Sequence, residues 1–286
     1  MHCIFPGQGN AINLTDCGML GDYIGGFWGT VISTIALAIL FWTWRATRQA
    51  NIRSGLMAVL VEMLKTHDEI TSSNIGFSRI FLKEFATIYK LTKSLVPDDA
   101  TWSTRVRIDL AYTYMFYGLS TQSIDTLKRY GEQDVWRLHN AIGRLQTKSG
   151  GKFANLFKGR QAELSHYMRN LFNMFVVVDE ANLKVDEKKQ ISKIIRTKLS
   201  NYDQALLAMN ILSSFGGDWE IRRLIERYKP ISNIPKGFFG YDEKISLKKF
   251  FPLIEFEWER CGGFQRKYYT MGVWRIFVTF SFLRKF

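Results

Sequence analysis

The chain is poor in proline and cysteine and lacks the usual catalytic signatures. Five prolines among 286 residues leave long helices uninterrupted. Short alternating strands with Asn-Gly turns are also scarce, so the chain reads as mainly α. Cys3, Cys17 and Cys261 make no disulfide framework; Cys3 and Cys17 would pair only if the N-terminus faced an oxidising compartment. No CxxC pair is present to hold zinc. The four histidines, His2, His67, His139 and His166, belong to no HExxH motif, because His67 is followed by Asp-Glu-Ile-Thr. Gly150-Gly151-Lys152 only superficially resembles a phosphate loop: Phe153 stands where Ser or Thr would bind magnesium, and the upstream glycine is missing. A GxSxG nucleophile elbow is absent. Asp68 and Glu69, like Asp179 and Glu180, are sequence neighbours, so each pair diverges on a helix and suits a metal poorly. No cofactor, metal site or enzymatic activity is therefore expected. A hydrolase built from the scattered carboxylates Asp68, Glu69, Asp179 and Asp203 is the enzymatic alternative.

Lysine and arginine are missing from residues 1–44, which carry only Asp16 and Asp22. All 39 basic residues therefore lie in 45–286, against 24 acids. Such an excess favours anionic partners, either lipid headgroups or nucleic acid.

Tyr23 to Trp44 is free of formal charge. As a helix it would span about 33 Å, close to the ~30 Å hydrocarbon core of a bilayer. Asp22 and Arg45 bracket it, with Tyr23 at one interface and Trp42 and Trp44 at the other. A signal peptide would begin basic and end in a small-residue cleavage site, and this stretch does neither. The basic residues Arg45, Arg48 and Arg53 flank only its C-terminal end, which places 45–286 in the cytoplasm and 1–22 outside as a short tail. Gly21, Gly25, Gly29 and Ser33 recur every four residues. In lipid, such a stripe lets a second helix approach closely, which points to homo-oligomerisation or docking on a partner helix.

Beyond Arg45 the helical pattern continues through Ile52, Leu56, Val59, Leu60, Met63 and Leu64. A helix is expected over 80–95, with Phe81, Phe85, Ile88 and Tyr89 inward and Pro97 ending it. Two more are expected in 102–148, with a break near Gly118–Gln122. The stretch 148–153 reads as a flexible joint, so 45–150 and 151–240 are taken as successive helical regions. In the second, Leu164, Met168, Leu171, Phe175 and Val178 form an apolar stripe, with His166, Arg169, Asn170 and Asn173 on another face. Ile195, Leu199, Tyr202, Leu206 and Met209 form a stripe on the following helix, bordered by Arg196, Ser200, Asp203 and Asn210. A buried network joining those four to His166 or Arg169 is one reading; solvated polar residues are the other. Gly216-Gly217 marks a stop, and a short amphipathic helix then runs to Pro230. Residues 241–286 are basic and aromatic; their last run contains Arg275, is too short to span a bilayer, and is read as buried or surface-lying.

Three places resemble the Putative phage abortive infection protein family of bacteria. They are GDYIGG ahead of the membrane helix, MLKTHDEI, and the ordered series HYMRNLF, RTKLSNYDQALLAMNILS and IRRLIERYKPISNIP. The resemblance covers 20–95 and 160–236. It carries over to His67, His166, Arg169, Arg196, Ser200 and Asn210; Asp203 stands where the family usually has Glu, and Met209 replaces an aromatic. Members commonly have a further membrane helix before the Gly-Asp entry. The resemblance implies antiviral defence at the bacterial inner membrane, without a chemistry. The expected protein is a membrane effector acting by oligomerisation and membrane perturbation after a phage-derived trigger. A membrane-tethered module that binds nucleic acid, a phage protein or another defence component is the alternative.

Overall fold

The computed structural model describes residues 14–72, 76–97, 101–148, 157–242 and 244–260. The joint at 148–153, apart from the helical Lys148, the apolar C-terminal run and the Cys3–Cys17 pairing lie outside them. Among the described residues every regular element is helical, in agreement with the mainly α reading. The chain divides into two units, Met1–Met57 and Ala58–Phe286.

In the first unit α1 (Leu14–Tyr23) leads through a π-helical turn, Ile24–Trp28, into α2 (Gly29–Ser72). Gly21–Ser72 is long and apolar enough to cross a membrane. Its most apolar 18 residues have a mean hydropathy of 1.9, and none is buried. Ile24, Phe27, Trp28, Ile32, Ile35, Leu37, Leu40 and Phe41 are all exposed. A helix apolar on every side belongs in a core or a bilayer, and among the described residues none buries the apolar stretch of this one. Its threonines are satisfied internally: Thr30, Thr34, Thr43 and Thr47 donate to the carbonyl four residues earlier, at 2.5, 2.8, 2.8 and 2.8 Å.

The second unit starts inside α2 and continues with α3 (Phe77–Leu95), α4 (Thr104–Tyr117), α5 (Thr121–Leu127), a 3-10 turn (Lys128–Tyr130) and α6 (Glu132–Lys148). Phe81, Phe85, Ile88 and Tyr89 are buried as expected, and α3 ends just before Pro97. The break near Gly118 is present, but Gly131 makes a second one, so 102–148 forms three helices rather than two. α4 packs on α3, α5, α7 and α9, and every residue from Arg107 to Phe116 is buried.

A helix enclosed on all sides needs its polar groups satisfied. Arg107 donates to the carbonyls of Trp102, Thr92 and Val96 at 2.9, 2.7 and 2.6 Å. The last two close α3, so the guanidinium sits against the negative end of that helix dipole. Asp109 accepts from Arg129 and Tyr130, both at 2.8 Å, and from the Ser214 amide at 2.7 Å.

The remaining elements are α7 (Gln161–Glu180), α8 (Val185–Lys198), α9 (Asn201–Leu212), α10 (Gly217–Ile221), α11 (Leu224–Tyr228), α12 (Leu247–Phe250) and α13 (Glu257–Arg260). The apolar stripe Ile195–Met209 is thus divided between two helices. Ser200 is the reason: extended itself, it caps α9 through a Ser-x-x-Asp box with Asp203. The segment before Pro230 is likewise split, because Arg223 takes a left-handed conformation between α10 and α11. The described residues 241–242 and 244–260 belong to the fold: Asp242 accepts from Tyr89 at 2.6 Å and pairs with Lys93 at 3.0 Å, tying the segment to α3.

Candidate functional site

The stretch with the family-like motifs converges on one carboxylate. Asp203 sits in the first turn of α9, buried, where its backbone is fixed by the Ser200 cap. Its Oδ2 accepts from the Ser200 amide at 2.8 Å and the Ser200 hydroxyl at 2.5 Å. Its Oδ1 accepts from Tyr167 of α7 at 3.0 Å and from the Ser78 hydroxyl of α3. Two short hydroxyl donors and a phenol therefore bring α3, α7 and α9 to one point.

His67 of α2 completes the cluster. Its ring lies 5.0 Å from that of Tyr167 and is 1% exposed. Nδ1 is buried without a hydrogen-bond partner. Burial lowers its pKa, against the opposing pull of Asp203 and Asp68, which favours the neutral imidazole. Tyr167 is pushed well above the usual phenol range, first by burial and then by Asp203, so it keeps its proton and donates.

This geometry holds helices together. A carboxylate has about four acceptor positions, and those of Asp203 meet four donors, so none is left for a substrate or metal. Among the described residues no three His, Cys, Asp or Glu side chains group as metal ligands. The other acids of the hydrolase alternative are elsewhere. Asp179 accepts from Tyr228 at 2.7 Å and pairs with Arg227, Asp68 stands exposed, 3.9 Å from Lys198, and Glu69 is exposed beside it in sequence. A shallow cleft of about 470 Å³ lies beside Phe116, Tyr117, Lys158, Gln161 and Ser165, and none of the motif residues lines it.

The structure thus brings together three of the residues singled out in the sequence, Ser200, Asp203 and His67, and separates the others. Asn210 bonds Tyr112 at 2.8 Å on the inner face of α4. Arg196 donates to the Lys229 carbonyl at 3.2 Å. His166 and Arg169 are exposed, so the network reading that joins them to Asp203 is corrected. The buried positions of α7 are Leu164, Tyr167, Met168, Leu171, Met174, Phe175 and Val178, which puts His166 and Arg169 on its outer side. Of the polar face, Asn170 alone reaches inward, donating to the Met63 carbonyl at 3.0 Å. Gly21, Gly25 and Gly29 are on the first unit, and a Cβ added at any of them meets nothing within 4 Å. Ser33, Arg45, Arg48 and Arg53 are exposed on the same unit, with Arg48 over the Trp44 ring at 5.5 Å.

Fold and cluster together define a helical protein organised round a structural carboxylate, with an apolar N-terminal helix. Residues 159–239 match the model of the family described as Putative phage abortive infection protein. The match takes in the whole Asp203 cluster except Ser78 and His67, and it supports a role in phage defence. It coincides with the second stretch of the resemblance and leaves out the first. No curated protein and no solved structure matches the chain.

Proposed function

We propose that the chain is a non-enzymatic, membrane-anchored effector of bacterial phage defence, held by a single span at Tyr23–Trp44 with its second unit in the cytoplasm. A phage-derived trigger acts on the helical unit, and the spans then associate and perturb the bilayer. The observation that carries this reading is the N-terminal helix, whose most apolar 18-residue stretch contains no buried residue; the family match supplies the context.

The small-residue stripe supports association between spans. Four residues overshoot a full α-turn by about 40°, so a four-step stripe drifts round a regular helix. The π turn at Ile24–Trp28 holds more residues per turn and takes up part of that drift between Gly21 and Gly29. An added Cβ at these glycines meets nothing within 4 Å, so the stripe leaves room for a neighbouring helix to approach.

The test is phage challenge of cells carrying Gly25→Leu or Gly29→Leu, followed with a membrane-potential dye. Both variants should remain in the membrane yet lose protection and the infection-dependent depolarisation. Full protection by both would refute association through this face.

A binding module tethered to the membrane is favoured by one other observation. Arg79, Lys83 and Lys90 are exposed along α3, whose single acid, Glu84, is buried. That version expects the purified protein to bind nucleic acid with a steep salt dependence.

A further inference from the structure

α10, α11 and the turn after α12 enclose a groove of about 260 Å³. Trp219 and Ile225 form one wall; Phe250, Phe251 and Ile254 form the other. Beside it stand two apolar side chains in water: Ile221 is 80% and Leu253 66% exposed. The rim carboxylates Glu220 and Glu226 are held only in surface ion pairs, with Arg105 at 3.0 Å and Arg223 at 2.7 Å.

We propose that this groove is the seat of the chain's own C-terminal segment, with residues 273–283 as the occupant. Three features select that occupant over a foreign partner. The first is position: the described chain ends at Arg260, six residues after Ile254, which itself lines the groove. The second is reach. The 12 residues between Arg260 and Val273 extend to roughly 40 Å, and glycines 262 and 263 put no side chain in the way of a reversal. The third is chemistry. Val273, Trp274, Ile276, Phe277, Val278, Phe280, Phe282 and Leu283 make a run too short to cross a bilayer that still needs burial. The 26 residues after Arg260 carry five bases and no acid, which suits the two rim carboxylates. The tail thereby covers the exposed apolar groups at α10 and the turn after α12, and couples the end of the chain to the segment matched by the family model.

The experiment uses full-length protein with the photoreactive substitution Leu253→p-benzoylphenylalanine, and a matched control, Val185→p-benzoylphenylalanine, on exposed α8. Isotope-labelled and unlabelled chains are mixed before irradiation so that mass spectrometry separates adducts within a chain from adducts between chains. The expected result is an adduct within the chain, from position 253 to peptides spanning 273–283, and none to them from position 185. Adding Trp274→Asp should lower its yield roughly tenfold, the effect of losing one buried aromatic side chain. An adduct to a second copy, an adduct to lipid or detergent alone, or none at position 253 overturns the assignment. An unchanged yield with Trp274→Asp overturns it equally.

Discussion

Glu84 offers the sharpest test of how the second unit is held. Its side chain on α3 is fully buried, with Oε1 accepting from the Phe157 amide at 2.6 Å and Oε2 buried without a hydrogen-bond partner. Burial pushes its pKa up to about 7, against the opposing Phe157 amide and Arg160; Glu163 adds to the rise. The unfolded chain releases this proton near pH 4.5, the folded chain only near 7. Stability from this group is therefore complete below about 4.5 and is lost as the pH rises through 7. A difference of that size corresponds to about 3 kcal/mol, or roughly 6–12 °C in melting temperature for a unit of this length. Glu84→Gln keeps the acceptor for the Phe157 amide and removes the titration. Melting curves of the detergent-solubilised protein at pH 5 and pH 8, followed by the fluorescence of the buried Trp102 and Trp219, would show it. The variant should gain on the wild type by about 3 kcal/mol between the two pH values. Parallel profiles, within about 0.5 kcal/mol, would refute the claim that a carboxyl is held in its neutral form there.

Other perturbations follow from the same geometry. Asp203→Ala strands the Tyr167 and Ser78 donors and leaves the Ser200 amide without its carboxylate acceptor, while the Ser200 cap on the residue 203 amide remains; a loss of about 3–5 kcal/mol in denaturant unfolding is expected, whereas Ser200→Ala should cost about 1 kcal/mol. Gly216→Ala would place its Cβ 2.3 Å from Ile211 Cα and 2.4 Å from the Asn210 carbonyl, backbone atoms that cannot swing aside, so a loss of about 2 kcal/mol or more is expected. Gly217→Ala, with nothing within 4 Å, should be near neutral in the same assay. His67 titrates in the opposite sense to Glu84: its folded pKa is lowered, so the unfolded chain takes up the proton first as pH falls below about 6.5. His67→Phe should flatten that acid-side loss of stability, measured as melting temperature between pH 7 and pH 5.

Local signals in the sequence were sufficient for some features and silent on others. The apolar run Tyr23–Trp44 and the stops at Pro97 and Pro230 are written in consecutive residues, and the helices follow. The break at Ser200 was also legible, since Ser-x-x-Asp is a helix-start signature; a continuous apolar stripe across Leu199 concealed it. The partners of Asp203 were not legible. Ser78 is 125 residues away and Tyr167 is 36 away, and no periodicity relates positions brought together only by packing. Tyr167 was hidden for another reason: it sits on the inward face beside Met168, while its neighbours His166 and Arg169 face out. Arg107 and Asp109 carry no signal in the sequence because α4 is enclosed all round and has no polar side to set them off.

The threonines of the long N-terminal helix have a consequence for any neighbour. With their hydroxyls turned back onto backbone carbonyls of their own helix, Thr30, Thr34 and Thr43 offer an adjoining span methyl groups. Adhesion at these positions would come from shape alone, and dispersion forces fade within an ångström or so of separation. Such a contact would depend on close approach, so a change in tilt or bilayer thickness that parts the two surfaces would weaken it.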